Sequence, residues 1–143
     1  MKPGTLEAHD PRLVRLLEYM RAHLDEPLDL DALARLAGVS PRQLDRVFLR
    51  LFGESPRACL RRLRLERAAG QLRTSRRRIL AIALDAGFES HEAFTRSFTR
   101  RFGHKPADYR RLPRATLQPR DRGEYWRLAL AGGLRRHVEH DGR

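Results

Sequence analysis

One cysteine, Cys59, two lysines, Lys2 and Lys105, and a single tryptophan among 143 residues set the first limits on this chain. A lone thiol excludes an internal disulfide framework, a cysteine-based zinc finger and an iron–sulfur cluster supplied by this chain alone, and it fits a reducing cytosol. No apolar run approaches the roughly 20 residues that span a bilayer. The start, MKPGTLEAHD, lacks the charged region and apolar stretch that export uses. These absences predict a cytoplasmic protein without a membrane partner. The length fits one domain or two very small ones and excludes a large multidomain enzyme.

What is abundant is positive charge. Thirty Lys and Arg stand against 18 Asp and Glu, a net charge of +12, and 28 of the 30 bases are arginines. A G+C-rich coding sequence would favour Arg over Lys, but it would not produce an excess of base over acid. With 41% hydrophobic residues the chain has enough apolar surface for a core of its own. A folded protein with a polyanionic partner is the inference.

The apolar spacing is helical throughout. Asp10 is a natural N-cap ahead of Pro11, and Leu13, Leu16, Leu17, Met20 and Leu24 recur at helix spacing in a first helix that ends before Pro27. A short helix follows from Asp29 through Leu33, Ala34 and Ala37 to Gly38, a left-handed terminator. Ser40 and Gln43 form a capping box, and Leu44, Val47, Phe48 and Leu51 give the next helix one apolar stripe. After Gly53, Ser55 and Pro56 start a longer helix to about Thr74, with Leu60, Leu63, Ala68, Ala69 and Leu72 facing inward and arginines crowding the outer face. Then the sequence repeats itself. Ile79, Ile82 and Ala83 lead to Gly87, Ser90 caps a helix striped with Phe94, Phe98 and Phe102, and Gly103, Pro106 and Tyr109 close the unit. Gly38 matches Gly87 at an offset of 49, whereas Ser40, Phe48, Phe52, Gly53 and Pro56 match Ser90, Phe98, Phe102, Gly103 and Pro106 at 50, so one residue near Glu89 is inserted in the second turn.

Two short-helix, tight-turn, helix units follow from this repeat, the arrangement that projects a recognition helix outward. Opposite the first stripe lie Arg42, Asp45, Arg46, Leu49 and Arg50; opposite the second lie His91, Glu92, Thr95, Arg96, Thr99 and Arg100. Arg reads guanine bidentately in the major groove, Asp or Glu accepts from cytosine, and Thr contacts the thymine methyl. The base-contacting candidates are Arg42, Asp45, Arg46, His91, Glu92, Thr95 and Arg96. Arg50, Arg76, Arg77, Arg78 and Arg100 are the phosphate candidates; the run of three precedes a helix N-terminus, where backbone donors also attract anions. The same residues also suit an ordinary solvated helix face, with Glu92 and Arg96 spaced as an i, i+4 pair. Arg57, Arg61, Arg62, Arg64, Arg67 and Arg73 suit phosphate binding or solubility equally.

From about Leu13 to Arg111 the chain resembles the DNA-binding domain of the AraC/XylS family of bacterial transcription regulators. The first half carries Ala34, Ala37, Gly38, Val39, Ser40, Pro41, Arg42, Gln43, Leu44, Arg46 and Phe48, then Gly53, Ser55 and Pro56. The long helix carries Leu63, Arg64, Leu65 and Ala68. The second half carries Ile79, Ile82, Ala83, Gly87, Phe88, Ser90, Phe94, Arg96, Phe98, Arg100, Phe102 and Gly103, completed by Pro106, Tyr109 and Arg110. The resemblance implies an all-α, homeodomain-like fold of two helix-turn-helix subdomains joined by a linker helix. The expected layout is an N-terminal lead at 1–10, a first subdomain at 11–54, the linker at 55–75, a second subdomain at 76–112 and a tail at 113–143, partly disordered or holding a short helix at 125–131. A linker of about 18 residues spans roughly 27 Å, comparable to the roughly 34 Å between successive major-groove faces. The implied partners are double-stranded DNA, bound as a monomer, and RNA polymerase, in the bacterial cytoplasm and on the nucleoid when bound.

Two family positions differ: Cys59 stands where an aromatic is usual, and Lys105 where a Ser or Thr would cap the last helix. Gly70 inside the linker costs about 1 kcal/mol relative to Ala. Cys59 is expected as a small buried hydrophobe. His137 and His140 have no third ligand near them, so no metal is expected, and no cofactor. With ten residues before the first helix and 31 after Leu112, the chain resembles small stand-alone family members that need no inducing small molecule, or a shortened relative of regulators with a C-terminal effector domain. An enzymatic alternative, the DNA-repair alkyltransferases that share this domain, requires a zinc-binding cysteine cluster and a reactive cysteine that Cys59 alone does not supply. A nonspecific nucleic-acid binder or an adaptor also fits the basic balance.

Overall fold

The computed structural model describes residues 6, 7 and 10–113. Among them there are seven helices and no strand: α1 Pro11–Ala22, α2 Leu30–Ala37, α3 Pro41–Phe52, α4 Pro56–Thr74, α5 Ile79–Asp85, α6 His91–Phe102 and α7 Pro106–Arg111. They divide into two compact units, and the division falls inside α4, between Leu60 and Arg61. The expected short helix at 125–131 lies outside the described residues, as do His137 and His140.

In the first unit, α1 packs on α2 and α2 on α3. The buried carboxylate of Asp10 accepts from the Arg12 backbone N–H at 2.8 Å and from its guanidinium Nη2 at 2.9 Å, so one acid caps the helix and fixes the base beside it. Leu13, Leu16, Leu17 and Met20 enter the core as their spacing requires. The helix stops at Ala22, earlier than the approach to Pro27 suggests. At His23 the backbone leaves the helical region, with φ −121° and ψ 34°; its N–H keeps the last helical bond to the Tyr19 carbonyl at 3.0 Å, its ring Nδ1 lies 2.9 Å from the same oxygen, and the ring stacks on Tyr19 at 3.8 Å. Leu24 continues the apolar stripe from outside the helix and is buried. One described residue well ahead of α1 also joins the core. Leu6 is fully buried, and Arg50 Nη2 donates to its carbonyl at 2.6 Å.

In the second unit the core is aromatic. Phe94, Phe98, Phe102 and Tyr109 are buried together, with ring centroids 4.5 Å apart for Phe98 and Phe102 and 5.1 Å for Phe98 and Tyr109. Leu65, Ala68, Ala69 and Leu72 of α4, Ile82 and Ala83 of α5, and Ala86 complete it. The arginines of α4 differ from the expectation that they form an outer face. Arg62, Arg64, Arg67 and Arg73 are half-buried, and those whose bonds are resolved hold the unit together. Arg73 Nη1 donates to the carbonyls of Tyr109 and Arg110, each at 3.2 Å, and to that of Leu112. Arg110 returns the contact, its Nε donating to the Leu72 carbonyl at 3.0 Å and its Nη2 to that of Arg77 at 2.7 Å. The ends of α4 and α7 thus carry each other's cations, which satisfies carbonyls that a helix C-terminus leaves unpaired. Arg67 does the same for the Asp85 carbonyl at the end of α5, at 2.9 Å. Only Arg57 and Arg61 of the linker set are exposed.

Candidate nucleic-acid interface

The two turns are built alike. Gly38 sits at φ +69°, and Val39 N–H reaches back to the Ala34 carbonyl at 3.1 Å; Gly87 sits at φ +87°, and Phe88 N–H reaches the Ala83 carbonyl, also at 3.1 Å. A positive φ is cheap only for glycine, so each turn depends on that residue. Ser40 then caps α3, its Oγ accepting from Gln43 N–H at 3.1 Å while Gln43 Oε1 accepts from Ser40 N–H at 2.9 Å. Ser90 caps α6 through Ala93 N–H at 3.1 Å. Ala93 stands where the first half has Gln43, so the second cap lacks the reciprocal bond.

These caps and the buried stripes set which side chains of α3 and α6 face out. On α3, Leu44, Val47, Phe48 and Leu51 are inside; Arg42, Arg46, Leu49 and Arg50 are exposed. On α6, Phe94, Phe98 and Phe102 are inside; His91, Glu92, Arg96 and Arg100 are exposed. Arg42, Arg46, Glu92, Arg96 and Arg100 make no side-chain hydrogen bond or ion pair within the described residues, and Glu92 and Arg96 do not pair with each other. Each helix therefore presents to solvent donors that no protein group occupies, the condition a groove-reading face requires. Thr95, half-buried, lies with its Oγ1 3.5 Å from His91 Nδ1.

Three side chains on the expected faces do something else. Thr99 is half-buried, and its hydroxyl is enclosed with no hydrogen-bond partner among the described residues. It therefore leaves the outer face. Asp45 is half-buried on the wall of a cleft of about 260 Å³ that Leu28, Leu33, Arg57 and Leu60 also line. Arg50 is exposed, but its guanidinium donates to the Leu6 carbonyl. The arginine run divides as well: Arg76 and Arg78 are exposed with no side-chain partner among the described residues, whereas Arg77 pairs with Asp85 at 2.5 Å. The helix spacing alone does not record these uses: Arg50 reaches a carbonyl 44 residues away, and Arg77 an acid in the next helix.

No group of three His, Cys, Asp or Glu that could hold a metal occurs among the described residues, and no helix there is long and apolar enough to cross a membrane. Cys59 is fully buried and forms no disulfide.

Residues 33–112 match a family described as a helix-turn-helix domain. The chain is similar to the right origin-binding protein of Escherichia coli (strain K12), 44% identical over 98 residues, which is 68% of this chain but 34% of that protein. It thus spans about a third of the length of that relative. Regulatory protein SoxS of Salmonella typhimurium is 37% identical over 103 residues, 72% of this chain and 96% of its own length. Among solved structures, a Chromobacterium violaceum transcriptional regulator with an AraC-type DNA-binding domain superposes with a TM-score of 0.67 at 35% identity, covering 70% of this chain and 89% of that one.

Proposed function

The chain belongs to the AraC/XylS family of helix-turn-helix regulators, and we propose that it is a sequence-specific transcription regulator that reads double-stranded DNA through α3 and α6. The observation that carries this reading is the pair of outward faces, each with unpaired cationic side chains opposite a buried stripe, in a chain of net charge +12. Each helix enters the major groove of adjacent segments. Arg42 and Arg46 read guanine edges in one head; His91, Glu92, Thr95 and Arg96 form the reading set of the other. Arg76, Arg78 and Arg100 take phosphate, which positions the protein without specifying sequence. Asp45 stays in the candidate set for bases from its place on the cleft wall, Arg50 in that for phosphate with the Leu6 carbonyl as competitor, and Arg77 takes phosphate only by leaving Asp85.

One chain holds both heads, so it binds as a monomer, in the cytoplasm, and RNA polymerase is the partner on which a bound regulator acts. No small molecule enters this scheme.

Selection from a random double-stranded oligonucleotide pool tests the proposal. Two short conserved blocks in the selected sites are expected. Arg46→Ala should weaken binding by about 1–3 kcal/mol and relax selection in one block, and Arg96→Ala should do the same in the other. Equal losses on selected and random DNA would make both arginines phosphate contacts. Selection of no consensus at all would leave a nonspecific binder.

A further inference from the structure

Resting on the reading of α3 as a recognition helix, we propose that Leu49 is a specificity residue of the first head and recognises the C5-methyl group of a thymine. Leu49 is 57% exposed, an unusual place for a leucine on a helix face otherwise made of Arg42, Arg46 and Arg50. Residues 42, 46 and 49 follow one another at i, i+4 and i+7, so all three project from the same side, with Leu49 one turn beyond Arg46. The thymine methyl is the apolar group that base edges present in the major groove. A leucine beside guanine-reading arginines is thus matched in chemistry and placed to reach a neighbouring base pair.

Two comparisons within the molecule single this residue out. Leu36, Leu80 and Leu84 are about as exposed, at 51%, 49% and 54%, but lie on α2 and α5, the helices that precede the two turns and not the recognition helices. The repeat equivalent of Leu49 is Thr99, whose hydroxyl is enclosed and whose side chain is half-buried. The apolar reader therefore belongs to the first head alone, and the two heads recognise different chemistry.

The test replaces each thymine of the selected site in turn by uracil, which keeps the pairing and removes the methyl. For the full chain, one position in the block read by α3 should lose about fourfold in affinity, the value of one buried carbon. Leu49→Ala, an exposed change to a better helix former whose folding is checked by thermal melting, should bind the thymine and uracil duplexes alike. A parent protein indifferent to uracil at every position, a Leu49→Ala protein that still prefers thymine there, or a block without thymine overturns the assignment. Arg46→Ala separates the two levels of failure. If it relaxes selection while uracil has no effect, α3 reads DNA and Leu49 does not; if it also leaves selection unchanged, the reading of α3 fails and takes Leu49 with it.

Discussion

At the residue scale, Glu66 and Arg101 do with charge what the first half does with hydrocarbon. The repeat places Arg101 where α3 has the buried Leu51, so the stripe of α6 contains a cation. Glu66, 8% exposed, answers it at 2.9 Å, with Arg62 a further 3.7 Å contact on the same oxygen. The guanidinium also lies 5.4 Å from the Phe102 ring centroid, and Arg101 Nε is enclosed without a partner among the described residues. Removing the carboxylate leaves a half-buried cation uncompensated, so Glu66→Ala should cost about 2–3 kcal/mol in denaturant unfolding. Replacing both residues, Glu66→Leu with Arg101→Leu, should recover most of that loss, because a matched apolar pair bears no desolvation penalty. A double variant less stable than Glu66→Ala would mean that the pair contributes net stability of its own.

At the element scale, two glycines with equally open surroundings respond in opposite directions. An added Cβ meets nothing within 4 Å at Gly70 or at Gly53. Gly70 is an exposed interior residue of α4, so Gly70→Ala should stabilise by about 1 kcal/mol and raise the melting temperature by roughly 3–5 °C. Gly53 caps α3 at φ +69°, where Ala is strained, so Gly53→Ala should lower it by a similar amount. Melting curves of the two variants check both signs. The difference explains what was readable beforehand. Caps, turn glycines and apolar stripes act within a few residues, and Asp10, Ser40, Gly38 and the three phenylalanines of α6 stand where their spacing placed them. The uses of Arg50, Arg73 and Arg101 depended on carbonyls and carboxylates 35 to 44 residues away, and an arginine's spacing carries no record of such partners. The burial of Leu6 and of the Thr99 hydroxyl was hidden for the same reason.

At the scale of the whole molecule, net charge overstates what is offered to a polyanion, because many arginines are occupied internally. Salt dependence measures the remainder. Replacing Arg76 and Arg78 together with Ala should weaken binding to every sequence and reduce the slope of log K against log salt by about 1–2. Arg77→Ala, which first breaks an exposed pair with Asp85, should change the slope less; an equal change would show that the pair opens on DNA. The mismatch between the repeats has a different kind of consequence. A two-fold symmetric dimer on a palindrome has no front or back, and its site works the same when flipped. Here one head carries Arg42, Arg46 and Leu49, the other His91, Glu92, Thr95 and Arg96, and the second turn is a residue longer. Such a reader has a heading, so its operator is an arrow. Reversing the selected site in place upstream of a reporter should leave affinity intact while changing the transcriptional output, and the side turned toward the promoter becomes part of the signal.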